Sequence, residues 1–194
     1  MGAPIVLFGV FLNVLGSAFY IRDTLKGKTK PNRITWIMWA VAPLIGSAAA
    51  FSSGVTWATL PVLFSGLGPL TVVLASFVNR QSYWKLSAFD YLCGVFAILA
   101  LVLWRVTGDP NIAIMFAIAS DFAAAFPSLV KSWRHPETET ALAYVLNGAS
   151  NLTSFAATSE WTFASYAFPG YLVVVNAVFM IFILRKRGRS KESP

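Results

Sequence analysis

Asp121 is the single acidic residue of an apolar run, 111–130, and it lies near the middle of that run. Three asparagines, Asn13, Asn151 and Asn176, lie near the middle of three other apolar runs. Amide and carboxylate groups are costly to bury in apolar surroundings, so they usually face a cavity or a partner. Amides can hydrogen-bond a polar solute, and a carboxylate can bind and release a proton. Asp121 is therefore predicted either to couple protons to solute binding, or to accept hydrogen bonds from Asn13 or a serine in a structural role.

The spacing inside two runs places polar and small side chains on one face of a helix. In the run 140–158 the i, i+3, i+4, i+7 positions hold Asn147, Ser150, Asn151 and Ser154. In the run 111–130 and just beyond it, a similar stripe consists of Asp121, Ala124, Ala125, Ser128 and Ser132. Such stripes either line a cavity or let helices pack closely. Packing is favoured for the serines and alanines, whereas substrate binding is predicted for the asparagines, Asn13, Asn147, Asn151 and Asn176.

The same residues exclude most catalytic chemistry. Hydrolysis would need paired aspartates, a Ser-His or Ser-Lys pair, or metal ligands within the apolar runs. The chain has one cysteine, Cys93, and one histidine, His135, which lies beside charged residues at the end of a run. The sequence therefore predicts no catalytic residue, no metal site and no cofactor.

Composition indicates which elements must position the polar residues. Of 194 residues, 57% are hydrophobic and 12% are charged, against about 45–50% and about 25% in soluble domains. Seven apolar runs have about the 20-residue length that crosses a bilayer as a helix. They are 3–21, 34–52, 57–78, 86–104, 111–130, 140–158 and 162–184. No basic segment precedes the first run, so it is predicted to be a membrane span rather than a cleaved signal peptide.

Basic residues predict the orientation of these spans, because loops on the cytoplasmic side carry the excess of Lys and Arg. Fourteen of the fifteen Lys and Arg residues fall on one side of a seven-span arrangement, and only Arg105 falls on the other. The N-terminus is therefore predicted outside and the C-terminus in the cytoplasm. The chain is short and has no extended sorting tail, so a prokaryotic cytoplasmic (inner) membrane is expected.

The net charge of +7 has the same explanation. The basic residues lie at the ends of the spans, where they orient the chain and contact anionic lipid. No basic face with interleaved aromatic residues lies outside the spans, so nucleic acid is not an expected partner. The expected partners are a small solute and membrane lipid, and a homo-oligomer stays open.

The order of features in the first part of the chain recurs in the second. The segment 16–31, GSAFYIRDTLKGKTKP, aligns with 123–138, AAAFPSLVKSWRHPET, at a shift of 107 residues. Each segment ends a span and leads into a basic loop with Thr and Pro. The predicted fold is an all-α membrane protein with a parallel 3+1+3 repeat. Its parts are a first three-helix bundle at 1–80, a linker helix at 81–109, a second bundle at 110–185 and a basic tail at 186–194.

The segment FPSLVKSWRHPETE, 126–139, resembles the signature of the SWEET, SemiSWEET and PQ-loop membrane transporters. Pro127 falls on the proline of the Pro-Gln pair and Ser128 replaces the glutamine. Lys131, Trp133, Arg134, Thr138 and Glu139 follow at fitting spacing, and Tyr20 takes the proline position in the first half. The resemblance implies seven spans and transport of a small solute by alternating access between two three-helix bundles.

Two further sets of residues fit such a transporter. Proline weakens a helix locally, so hinges are predicted at Pro43, Pro69, Pro127 and Pro169, although membrane helices also tolerate proline without moving. Trp39 either belongs to the aromatic belt at the membrane interface or turns into the cavity and stacks against a sugar ring or another planar solute.

Sugar is the first expected substrate, since asparagines suit hydroxyl groups. A proton-coupled amino-acid or organic-acid carrier is the alternative that Asp121 favours. A seven-helix receptor is the alternative of another class. A retinal protein is excluded, because the last span has no lysine before Lys186.

Overall fold

The apolar runs of the sequence form helices in the structure, a computed structural model that describes residues 2–52, 60–107, 110–157 and 162–189. These residues form helices and connecting segments, with no strand among them. The helices are α1 (Gly2–Leu25), α2 (Arg33–Ser52), α3 (Leu60–Val78), α4 (Ala88–Val106), α5 (Pro110–Arg134), α6 (Ala141–Ala157) and α7 (Phe163–Arg189). Two short 3₁₀ turns, Arg80–Ser82 and Pro136–Thr138, precede α4 and α6.

Each predicted run overlaps one of these helices, although α1, α5 and α7 continue four or five residues past the ends of their runs and α4 begins two residues late. Three parts of the prediction lie outside the described residues: the start of the run 57–78, the last residue of 140–158 and the tail residues 190–194. Helix α7 continues into the predicted tail as far as Arg189. The extension includes Gly188, which lies inside the last turn of the helix.

Local chemistry sets the ends of two helices near the basic loops. Gly27, just after α1, has a φ of 73°, a left-handed conformation that glycine adopts without a steric penalty. The Ser87 hydroxyl caps α4, and the Asp90 carboxylate accepts a hydrogen bond from the Ser87 backbone in return. This capping box satisfies two donors that would otherwise lack partners at the helix start.

The helices pack in two triplets of the same pattern. In the first triplet α3 contacts both α1 and α2, and in the second α7 contacts both α5 and α6. The triplets meet where α1 packs against α6 and where α2 packs against α5. Helix α4 packs mainly on α5 and also touches α2. A two-fold relation between the triplets would exchange α1 with α5 and α2 with α6, so the α1–α6 junction would be matched by an α5–α2 junction, as is found.

Contacts between helices also give their relative directions. Gly9 lies near Ser150, and Gly16 lies near Ala143, so α1 and α6 are antiparallel. Side chains of α7 contact residues of α5 in rising order, through the pairs Asp121–Tyr171 and Trp133–Phe182. Helices α5 and α7 therefore run in the same direction, as alternating passes through a bundle require.

The fold has a buried apolar core, but its outer surface is also strongly apolar and its interior contains many polar side chains. Large apolar side chains on the outside of α1 and α4 are exposed, among them Phe8, Phe11, Leu92 and Phe96. Buried polar side chains include Asn32, Thr35, Ser128 and Glu139. Large exposed apolar surfaces mark contact with lipid or with a partner. Among the described residues, three helical segments are long and apolar enough to cross a membrane, Pro4–Leu25, Ile114–Arg134 and Tyr166–Arg185.

Candidate functional site

A cavity of about 160 Å³ lies between the two triplets. It is lined by residues from α1, α2, α3, α5, α6 and α7. The lining includes every residue predicted to bind substrate or protons and two of the predicted hinges: Asn13, Trp39, Asp121, Asn147, Asn151, Asn176, Pro43 and Pro69. The structure thus brings these eight residues together around one cavity, while their roles in binding and coupling stay predictions.

The asparagines are held in defined orientations. Asn13 Nδ2 donates a 2.9 Å hydrogen bond to Asn147 Oδ1, which joins α1 to α6. Asn151 Nδ2 and Asn176 Nδ2 each donate to the carbonyl four residues earlier in their own helices, both at 2.8 Å. Asn13 Oδ1 is buried without a hydrogen-bond partner. A solute hydroxyl entering the cavity could satisfy this acceptor, because a buried polar atom without a partner is costly.

Two tryptophans one helical turn apart form an aromatic wall of the cavity. The rings of Trp36 and Trp39 meet edge to face with centroids 5.2 Å apart. Trp36 is buried, and its Nε1 atom interacts with Tyr20 but has no partner in hydrogen-bond geometry. The sequence predicted Trp39 as a cavity residue but not Trp36. The three-residue spacing places both side chains on one helix face, which is the signal that could have identified Trp36.

Asp121 is the only carboxylate among the described residues that line the cavity, and no Lys, Arg or His lies in that lining. Asp121 Oδ2 accepts a 2.7 Å hydrogen bond from the Tyr171 hydroxyl. The Trp39 indole N–H also interacts with this carboxylate, although outside hydrogen-bond geometry. The structural role predicted for Asp121 has Asn13 or a serine as its hydrogen-bond donor. Tyr171 takes that place because α5 and α7 run side by side.

Aromatic side chains close the end of the cavity that faces the basic loops. Tyr144 and Phe179 stack with centroids 4.3 Å apart and an angle of 12° between their planes. Trp36 packs against Tyr20, with centroids 4.4 Å apart. All four side chains are buried. A solute in the cavity could not pass this layer unless the rings moved apart.

A buried ion pair lies beyond the aromatic layer. Lys131 Nζ is 2.5 Å from Glu139 Oε1, and the two side chains are only 1% and 0% exposed. Glu139 Oε2 accepts hydrogen bonds from the hydroxyls of Tyr20 at 2.8 Å and Tyr144 at 2.9 Å. Lys131 Nζ also donates to the carbonyl of Lys30 in the first half of the chain. These extra bonds help to offset the cost of removing both charges from water.

The four predicted hinges lie inside continuous helices, α2, α3, α5 and α7. Pro43 and Pro69 line the cavity. Pro127 lines a second pocket, between α4 and α5, and Pro169 follows the cavity residue Phe168. Pro127 and Pro169 are therefore not among the residues that line the cavity. The hinge role stays a prediction for all four.

Two charged residues outside the cavity have local roles. The Asp90 carboxylate belongs to the capping box of α4 and accepts a 2.5 Å hydrogen bond from Asn32 Nδ2. His135 is exposed, and its Nδ1 lies 3.4 Å from Glu137 Oε1. The described residues contain no group of three potential metal ligands.

Comparison of the chain with protein-family models, with curated proteins and with solved structures finds no match. The cavity is therefore the feature that bears on function, through its position between two helix triplets, its polar atoms without partners and its closed end.

Proposed function

We propose that this chain is an integral membrane transporter that carries a small polar solute by alternating access between α1–α3 and α5–α7. A sugar is the first substrate class. The protein has seven spans, with its N-terminus outside and its C-terminus in the cytoplasm of a prokaryotic cell. This is also the plan that the resemblance to SWEET and PQ-loop transporters implies.

The burial pattern and the helix lengths support seven spans. The shortest of the seven helices, α6, has 17 residues, which corresponds to about 25 Å at a rise of about 1.5 Å per residue. That is at the lower end of the length that crosses a bilayer. Apolar side chains face outward on α4 as they do on α1, so one lipid environment suits both helices.

The single observation that carries the proposal is the cavity between the triplets, with buried polar atoms that lack partners. Asn13 Oδ1 offers an acceptor and Trp36 Nε1 offers a donor. A hydroxyl group can satisfy both kinds of atom, and an aromatic wall gives a flat ring a surface to pack on. A neutral, hydroxyl-rich solute matches this chemistry.

The network beyond the cavity supports alternation between two states. Tyr20 and the Lys30 carbonyl belong to the first half, whereas Glu139 and Lys131 belong to the second. Ser128 Oγ donates to Thr35 Oγ1 at 2.9 Å, which joins α5 to α2. The basic end also has polar contacts of Thr140 with Thr29 and Asp23, and of the Lys30 backbone with Thr138. Opening of this end would break these contacts between halves, while each triplet keeps its own packing.

Asp121 favours a second candidate, a proton-coupled carrier of amino acids or organic acids. Its carboxylate reaches the cavity without a cation in the described lining. A proton or the amino group of a substrate would balance that charge. The two candidates share the cavity and differ in their dependence on a proton gradient.

Counterflow into proteoliposomes tests the proposal, with labelled sugars and amino acids presented to the purified protein. We expect saturable sugar exchange that falls about fivefold in Asn13→Ala, since one lost hydrogen bond corresponds to about 1 kcal/mol. Thr71→Ala is the matched control, because this exposed hydroxyl bonds only to carbonyls of its own helix. Absence of exchange for every solute, from protein that unfolds cooperatively, would contradict transport and favour the receptor.

A further inference from the structure

A second pocket, of about 460 Å³, lies between α4 and α5 on the side of the basic loops. Its polar lining residues are Lys85, Ser87, Asp90, Lys131, Arg134 and His135. Its apolar walls are Trp84, Phe89, Pro127 and Val130. None of these residues lines the solute cavity, so the pocket is a separate feature of the molecule.

Two cationic side chains of this pocket have no carboxylate partner among the described residues. Lys131 is paired with Glu139, and both oxygens of Asp90 accept hydrogen bonds from Asn32 or Ser87. Lys85 and Arg134 are exposed and form no ion pair within the described part of the chain. The rim therefore presents an ammonium and a guanidinium group, the two groups that bind phosphate.

Aromatic residues place this rim at a membrane interface. Lys131 Nζ lies 5.0 Å from the centre of the Trp84 ring, and the Trp84 and His135 rings are 5.5 Å apart. Tryptophan is enriched at the level of the lipid headgroups. A phosphate at that level would meet both rim cations.

An apolar track leads from the pocket along the outer surface of α4 and α5. Phe89 packs on Phe126 with centroids 5.6 Å apart, and Phe126 packs on Phe122 at 5.7 Å. These rings are 41%, 39% and 47% exposed. A free phosphate ion would gain nothing from this track, whereas the acyl chain of a lipid would cover it.

We propose that the pocket between α4 and α5 binds one anionic phospholipid, with its phosphate between Lys85 and Arg134 and an acyl chain along Phe89, Phe126 and Phe122. Basic pockets between spans at the cytoplasmic face are known to suit anionic headgroups. This site requires that α4 and α5 lie in a membrane, but it does not depend on solute transport.

Calorimetric titration of the full-length protein in a neutral detergent tests the site without a charged membrane surface. The titrants are dioctanoyl phosphatidylglycerol, dioctanoyl phosphatidylcholine and inorganic phosphate. We expect one saturable site for phosphatidylglycerol, and affinities at least about thirtyfold weaker for the other two. Removing both rim charges in Lys85→Gln with Arg134→Gln should weaken phosphatidylglycerol binding about thirtyfold.

The matched control is Lys26→Gln with Lys28→Gln, which removes the same charge from exposed positions in another basic loop. The control should change the affinity less than about twofold, which separates a local site from overall charge. Equal losses in the two double variants would overturn the proposal, and so would equal binding of phosphatidylcholine. Inorganic phosphate binding as tightly as the lipid would show a phosphate site without lipid recognition.

Phe126→Ala provides a second variant should the rim variants fail to fold. It leaves every charge in place and shortens the apolar track, so it should weaken phosphatidylglycerol binding several-fold. Unchanged binding in Phe126→Ala would contradict the assigned position of the acyl chain. Solute counterflow by the same proteins reports separately on the transport proposal.

Discussion

The Glu139 carboxylate joins the two halves of the chain at the end that the proposed transport cycle would open. It accepts one hydroxyl from Tyr20 in α1 and another from Tyr144 in α6, at nearly equal distances of 2.8 and 2.9 Å. The first bond joins the two halves of the chain, whereas the second lies within the second half. Opening of the basic end must therefore break the Tyr20 bond and can preserve the Tyr144 bond.

Tyr20→Phe should therefore favour the state that opens toward the basic loops. A hydrogen bond to a charged group contributes about 1.5–3 kcal/mol, so we expect opening to become at least tenfold more frequent. The measurement is the alkylation rate of Leu172→Cys, a cavity position, in a Cys93→Ala background. An impermeant maleimide is supplied from the face of the basic loops.

Tyr144→Phe is the control for that experiment, because it removes a similar bond to the same carboxylate without releasing one half from the other. Its alkylation rate should stay within about twofold of the parent, since a bond within one half does not resist the separation of halves. If both tyrosine variants raised the rate equally, the effect would come from a weakened Glu139 network rather than from opening between halves.

Asp121→Asn tests the proton-coupled candidate at the residue scale. The substitution keeps an oxygen that can accept the Tyr171 hydroxyl and removes the group that binds a proton. We expect the variant to exchange solute at equal pH on both sides and to lose accumulation driven by an inward proton gradient. Glu137→Gln is the control, because its carboxylate is 63% exposed and lies outside the cavity. A gradient response that survives in Asp121→Asn would assign Asp121 a structural role.

At the scale of the elements, the two junctions between triplets differ in how closely the helices approach. A Cβ atom on Gly9 of α1 would lie 2.2 Å from Thr153 Oγ1 of α6. A Cβ atom on Gly16 would lie 3.1 Å from the Ala143 carbonyl oxygen. At the other junction, Trp39 and Asp121 hold α2 and α5 around the cavity. Small residues therefore let α1 and α6 pack tightly while α2 and α5 leave space for a solute.

Gly9→Ala should destabilise the protein by about 1–3 kcal/mol, because the added methyl group forces α1 and α6 apart or displaces Thr153. Gly170→Ala is the matched control, since its nearest neighbour would be Phe155 Cζ at an ordinary 3.6 Å. That control should gain up to about 1 kcal/mol from helix propensity. The measurement is the unfolding transition in detergent, and equal effects of the two variants would contradict the tight α1–α6 contact.

The sequence predicted the helices better than the contacts between them. Hydrophobic runs determine the positions of helices such as α4 and α5, because length and composition suffice for that prediction. Depth and helical phase were enough to place Asn13, Asn147 and Asp121 around one cavity. Tyr171 was missed because its partnership with Asp121 depends on the rotation of α7 against α5, which a single sequence does not specify.

The buried pair of Lys131 and Glu139 was missed for a related reason. Both residues belonged to the motif that suggested a transporter, and each could have been a solvated loop charge. Only the packing of α5, α6 and the loop after α1 removes them from water. Burial of a charge depends on all the elements that surround it, so local spacing could not predict it.

At the scale of the whole molecule, three connections lie together at one end of the bundle. The Lys30 backbone N–H donates to the Thr138 carbonyl oxygen at 3.0 Å, which joins the α1–α2 and α5–α6 connections. Asn79 Nδ2 donates to the Leu25 carbonyl oxygen at 2.8 Å, which brings the α3–α4 connection to the same end. These connections carry most of the basic residues between the helices, so the proposed seven-span arrangement and the positive-inside rule together predict that this end faces the cytoplasm.

Labelling of introduced cysteines tests that orientation and the number of crossings together. Single cysteines replace Lys28, Gln81, Glu137 or Thr107 in a Cys93→Ala background, and intact cells are treated with an impermeant maleimide. We expect Thr107→Cys to react in intact cells, whereas the other three should react only after permeabilisation.

Three helices, α2, α3 and α4, separate Lys28 from Thr107, so these two positions lie on opposite faces only if an odd number of those helices crosses the membrane. Reaction of Lys28→Cys and Thr107→Cys from the same face would mean that α2, α3 and α4 do not all cross. Because the solute cavity is built from α2 and α3 as well as the longer helices, that result would also contradict alternating access between two equivalent bundles.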